Sequence, residues 1–106
     1  MNSLQRRFEI LLPRRFNDGA QIPEELLVQT VLDLRKQFGA LSAETQIIRG
    51  VWEHAGQSFR DELSRIFMDV ADTPENQKFF RDFKEQLKIR FQQIDIRITT
   101  YLIEVY

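Results

Sequence analysis

Apolar residues in this chain switch between a two-residue and a helical period in a fixed order, and that order restricts its fold more than any other feature. Phe8, Ile10 and Leu12 alternate with Glu9 and Leu11, which predicts a strand ending at Pro13. Leu27, Val31, Leu34 and Phe38 then recur at helical spacing. Pro23 is placed to be the first helical residue, Glu24 and Glu25 complement the N-terminal dipole, and Gly39 suits the left-handed position after the last turn. From Ala43 to Trp52 the residues favour β structure but alternate poorly, as at a sheet edge. After a turn at Ala55-Gly56-Gln57, Phe59 to Val70 predicts a long strand. Ile66, Met68 and Val70 share one of its faces, and Asp61, Leu63, Arg65, Phe67 and Asp69 share the other.

A second helix is predicted to start with Thr73 as N-cap and Pro74 as first helical residue, and Phe80, Phe83, Leu87 and Phe91 form its apolar stripe. The last strand changes phase: Ile94, Ile96 and Ile98 lie on one face, Tyr101, Ile103 and Val105 on the other. A β-bulge near Thr99-Thr100 is the expected reconciliation.

The order is thus β-α-β-β-α-β. Right-handed crossovers place both helices on one face of a four-stranded antiparallel sheet, an α+β ferredoxin-like sandwich. With 106 residues and nine Phe for a core, one domain spanning 1–106 is expected. The opposite sheet face would carry Glu9, Leu11, Leu63, Arg65 and Phe67, a mixture of apolar and charged groups that predicts a homodimer through this open face.

Charge and composition narrow the partners. A net charge of −1 gives no global field toward nucleic acid or an anionic membrane, so such contact is not expected. The third strand, Arg65-Ile66-Phe67-Met68-Asp69-Val70, also lacks the glycine-and-aromatic pattern with which RNA-binding sheets of this topology stack bases. No run approaches the ~20 apolar residues of a membrane span, and no signal sequence is evident. The chain has no Cys, which suits a reducing, cytoplasmic setting. No phosphate-cradling loop or metal motif is present, and no cofactor is expected.

Candidate chemistry concentrates at the hairpin from Arg49 to Glu62, which holds the only Trp and the only His. His54, beside Glu53 and across from Asp61 and Glu62, is the candidate acid/base; a solvated turn histidine is the plainer alternative. Trp52, Arg49 and Asp61 are the candidate ligand-binding residues, with Trp52 supplying a flat amphipathic ring. Asp61 and Glu62 are adjacent in a strand and so point to opposite faces. Arg14 and Arg15, beside Asn17-Asp18-Gly19, form a possible anion grip. Glu9, Asp61, Arg65 and Arg97 form a possible open-face cluster.

The residues Gly50-Val51-Trp52, Gly56, Glu62 and Arg90-Phe91-Gln92-Gln93 together resemble a pattern in a group of uncharacterised small bacterial ferredoxin-like proteins with a glycine-x-tryptophan hairpin. The resemblance implies the ferredoxin-like fold and carries no activity. From the open sheet face and the hairpin residues two functions are expected: a homodimeric module that binds a small ligand or another protein, or a small dimeric α/β-barrel enzyme using His54.

Overall fold

In the computed structural model the described residues are 3–44 and 46–106. They form β1 (Ser3–Pro13), α1 (Glu24–Phe38), β2 (Ser42–Ala43), β3 (Ile48–His54), β4 (Gln57–Val70), α2 (Pro74–Arg90) and β5 (Arg97–Val105). All strand pairings are antiparallel, β5 to β1, β1 to β4, and β4 to both β2 and β3. This is the ferredoxin-like arrangement.

Both helices begin and end largely as local chemistry requires. Thr73 caps α2 by accepting a hydrogen bond from the Asn76 amide (3.1 Å), and Pro74 follows at the first helical position. Helix α1 starts one residue later than the sequence suggests: Pro23 is extended (ψ 137°) and occupies the cap position. At its end Gly39 is left-handed (φ 85°), and its amide returns to the Arg35 carbonyl.

The core lies between the helices and one face of the sheet. Phe8, Ile10 and Leu12 of β1, Ile66, Met68 and Val70 of β4, and Phe80, Phe83, Leu87 and Phe91 are buried there with Leu34 and Ile96. Each such side chain contributes about 1.5–3 kcal/mol of transfer free energy. Phe8 stacks on Phe80 with ring centroids 3.8 Å apart. Arg90 ties the helices together outside this core, donating to Thr30 Oγ1 (2.9 Å) and to Asp33 Oδ2 (2.7 Å).

Three expectations need correction. The segment expected as one strand from Ala43 to Trp52 is interrupted: Ala43 pairs with Ile66 and Ile48 with Leu63, so five steps of chain on one side match three on β4. Thr45, within that segment, lies outside the described residues. Two extra residues preserve the alternation of faces, so β2 and β3 occupy one edge position in succession, and the sheet has five strands rather than four.

The bulge at Thr99-Thr100 does not form. Pairing with β1 runs without a break from Leu11–Arg97 to Ser3–Val105. The apolar residues of β5 therefore change faces: Ile98 packs against the core, whereas Tyr101, Ile103 and Val105 lie on the open face. Nor does the last strand begin at Ile94. That residue is 89% exposed, in a turn where Gln92 takes a positive φ of 53°.

Strands β1 and β4 also stop at different places. The ladder between them ends at Pro13–Leu63, while β4 continues back to Gln57 with only β3 beside it. The β3–β4 ribbon thus projects from the body as an arm, in keeping with a long axis of 49 Å against 29 and 26 Å.

Candidate functional site

The open face is built on alternation. With the even-numbered residues of β1 and β4 turned to the helices, Arg7, Glu9 and Leu11 of β1, Leu63, Arg65, Phe67 and Asp69 of β4, and Arg97, Thr99 and Tyr101 of β5 share its surface. Arg65 occupies its centre. Its Nη2 donates to Glu9 Oε1 (2.5 Å), its Nη1 donates to Glu44 Oε1 (2.7 Å), and its guanidinium lies 4.3 Å from the centroid of the Phe67 ring. Arg7 covers the same ring at 4.8 Å and makes a two-pronged contact with Asp69, at 2.7 and 2.9 Å. The Tyr101 hydroxyl donates to Glu9 (2.9 Å).

These contacts set the protonation states. The Arg65 hydrogen bond, assisted by the Tyr101 hydroxyl, holds the Glu9 carboxyl below its ordinary value. Glu9 in turn raises Arg65, and Asp69 raises Arg7. Glu9 is thereby held as a carboxylate and Arg65 and Arg7 as cations at neutral pH, so the face presents fixed charges. None is poised near neutrality to transfer a proton. Its chemistry is recognition by charge, hydrogen bonding and stacking.

The cluster proposed from sequence is only partly assembled. Glu9 and Arg65 meet, but Asp61 accepts from Trp52 Nε1 (2.7 Å) out on the arm. Arg97 is on the same face beside Leu11, with no ion-pair partner among the described residues. Sequence reasoning did not single out Arg7, Glu44, Asp69 or Tyr101. Glu9 and Asp69 with Arg65 were readable from face parity, but Glu44 and Tyr101 join only through a register set across neighbouring strands.

The arm carries the remaining candidates. Ala55 and Gly56 form its two-residue loop, both with positive φ (51° and 78°), the conformation that matches the twist of a hairpin. Trp52 sits opposite Phe59 on the face continuous with the open sheet, and their rings stack at 4.4 Å. With the Asp61 contact, this fixes the indole although Trp52 remains 47% exposed. Arg49, three residues before Trp52, points to the other face with Val51, Glu53, Arg60 and Glu62. The predicted set of Arg49, Trp52 and Asp61 therefore divides between two faces. His54 is exposed beside the loop, with its backbone paired to Gln57, and its imidazole has no hydrogen-bond or ion-pair partner among the described residues.

Arg14 and Arg15 do not form a joint anion grip. Arg14 turns inward and donates to the buried Ser64 Oγ (3.0 Å), lining a cleft of about 270 Å³ with Leu12, Gln21, Pro23 and Phe91. Arg15 turns outward to the Gly19 carbonyl (3.1 Å). The Arg90-Phe91-Gln92-Gln93 run is explained by packing: Arg90 joins the helices, Phe91 is core, and Gln93 Nε2 donates to the Phe91 carbonyl. Among the described residues no cluster of His and carboxylates has metal-binding geometry, and no helix is long and apolar enough to cross a membrane.

The sequence matches no family profile, and a search of curated proteins finds no match. Solved structures do match. A phage SAM lyase in complex with S-methyl-5'-thioadenosine is similar with a TM-score of 0.64 and 15% identity, over 95% of this chain and 88% of that chain. Its apo state gives a TM-score of 0.60 and 15% identity, over 98% and 89%. A de novo designed protein with a ferredoxin fold also matches, with a TM-score of 0.34 and 19% identity over 93% and 83%. The likeness to the lyase is one of fold.

Proposed function

We propose that the protein is a ferredoxin-like module that pairs with a second copy through its open sheet face and binds a small organic molecule there. The observation that supports this reading is the Arg65 network. A guanidinium held by two carboxylates over an aromatic ring is a rigid, partly exposed platform, with hydrogen-bonding groups at its rim. Leu11, Leu63, Tyr101 and Ile103 surround it with apolar surface that a second copy would cover.

The bound state of the similar lyase suggests the first ligand to try, a thioether-bearing adenosine, whose flat ring suits the Arg65 guanidinium and Tyr101 and whose hydroxyls suit Glu9 and Glu44. Calorimetric titration with S-methyl-5'-thioadenosine is expected to give saturable heat with the wild type and none with folded Arg65→Ala. Absence of saturable heat with the wild type sinks this choice of ligand. A monomer in light scattering at the same concentrations sinks the pairing.

The likeness to a lyase also favours a second reading, an enzyme in which His54 is the acid/base. Since His54 has no partner among the described residues, that role requires a second chain beside the arm to orient it. Incubation with SAM, with S-methyl-5'-thioadenosine followed by chromatography, tests this. Product from the wild type but not from His54→Gln supports it, and product from neither removes it.

A further inference from the structure

The free edge of β3 is complementary to itself, and we propose that two copies of this chain join their arms there, β3 to β3, antiparallel about Val51. This contact is separate from the open-face pairing proposed above.

The backbone sets the register. His54 and Gln57 flank a two-residue loop and so form a hydrogen-bonded pair. Antiparallel alternation then directs the amides and carbonyls of Ile48, Gly50, Trp52 and His54 toward β4, and those of Arg49, Val51 and Glu53 outward. The Glu62 carbonyl confirms the phase, since it turns away from its β3 neighbour Arg49 and accepts from the Arg14 amide (3.0 Å). Among the described residues β3 pairs only with β4, leaving the outward groups as a template for another strand.

The side chains specify which strand. A two-fold axis at Val51 places Arg49 opposite the partner's Glu53 and Glu53 opposite the partner's Arg49, with the two Val51 side chains between. Every outward backbone group of Arg49, Val51 and Glu53 then finds a counterpart. Neither Arg49 nor Glu53 has an ion-pair partner of its own among the described residues, and Val51 is 70% exposed. An edge defended against pairing would carry like charges. This one carries opposite charges placed symmetrically about an apolar residue.

Gly50 gives an independent argument. Its φ lies outside the left-handed region, and a Cβ there would meet only Leu63 Cδ1, at an ordinary 3.6 Å. The isolated chain therefore has no need of glycine at this strand position, where it weakens the strand. In the paired register Gly50 lies opposite the partner's Trp52, whose half-exposed ring can cover it. Because the axis is perpendicular to the joined ribbon, both open faces lie on one side and remain accessible.

Charge reversal tests the contact, with sedimentation velocity as the readout at low ionic strength. In an Arg65→Ala background, which disrupts the open-face network, the arm contact is read apart from the face contact. Arg49→Glu and Glu53→Arg are each expected to weaken association on the order of tenfold, since each reverses both symmetry-related pairs. An equimolar mixture of the two variants is expected to restore it as a heterodimer in which every cross-strand pair is again opposite in charge. Hydrogen exchange at the amides of Arg49, Val51 and Glu53 should slow as protein concentration rises. Reversals that leave association unchanged, a mixture that does not recover, or amides that exchange equally fast at all concentrations would each overturn the arm contact. The open-face reading stands or falls on its own titration and scattering tests.

Discussion

The two halves of β4 are one unbroken strand in opposite surroundings. From Ser64 to Val70 it runs between β1 and β2, with Ser64, Ile66, Met68 and Val70 buried beneath the helices. From Gln57 to Asp61 it has only β3 beside it and solvent on both faces of most residues. The first half is held by burial. The second, a two-stranded ribbon of a kind that is marginal in isolation, is held by its loop, the Trp52–Phe59 stack and the Trp52–Asp61 hydrogen bond. A protein that maintains an ordered aromatic ribbon clear of its core has an exposed surface whose stability is separable from that of the fold.

That separation can be broken or sharpened by substitution. The largest effect is expected in the body: Phe91→Ala removes a side chain that is 1% exposed and should cost about 3–5 kcal/mol in a denaturant titration. Arg90→Met should cost about 1–3 kcal/mol, because it removes the tie between the helices and leaves the Thr30 hydroxyl with only the Leu26 carbonyl. In the arm, Gly56→Ala forces an ordinary residue to φ 78°, at roughly 1 kcal/mol. That cost should appear as faster exchange of arm amides while the midpoint of the body stays fixed. If instead the midpoint falls as far as with Arg90→Met, arm and body fold as one unit and the comparison fails. Asp61→Ala is the mildest change. It should alter the fluorescence of Trp52, the only Trp, with a stability change within about 0.5 kcal/mol.

Acid should weaken the ion pairs of the body and the open face. Glu9 is held below the ordinary glutamate value by Arg65, and Asp72 and Asp95 below the ordinary aspartate value by Arg6 and Lys84. A depressed folded value means that the unfolded chain takes up protons first. The stabilisation is therefore complete above these ordinary values and declines as pH falls below them through the folded values. Melting temperature should be flat from neutral pH to about 5 and then fall, and Glu9→Gln should flatten part of that fall. Because all three pairs keep some access to solvent, each contributes little.

Much of the fold was legible because its signals are local. A threonine followed by proline, a glycine after a basic last turn, and apolar stripes at Leu27–Phe38 and Phe80–Phe91 act over one or two turns of chain. Face parity in β4 was equally readable, and it separated Asp61 from Glu62 correctly. The candidate site was less so. Glu9 and Arg65 were expected on one face, yet Glu44 reaches Arg65 from the interrupted edge strand and Tyr101 reaches Glu9 from the other side of the sheet. Arg49 was grouped with Trp52 by proximity in sequence, although their odd spacing in a strand places them on opposite faces.

By itself, then, the sequence determined the order of elements, the ends of the helices, the position of the hairpin loop and the inward face of each central strand, because each depends on neighbours a few residues away. Tertiary structure alone decided that β1 stops at Pro13, opposite Leu63, while β4 runs on, that β5 keeps its register through Thr99-Thr100, and that Arg65 is shared by two carboxylates. Those outcomes depend on pairings between residues far apart in the chain, from 21 positions for Glu44 and Arg65 to 92 for Glu9 and Tyr101 and beyond, which no local periodicity encodes. They also turn the hairpin first recognised by its Trp and His into a projecting arm with a free, self-complementary edge.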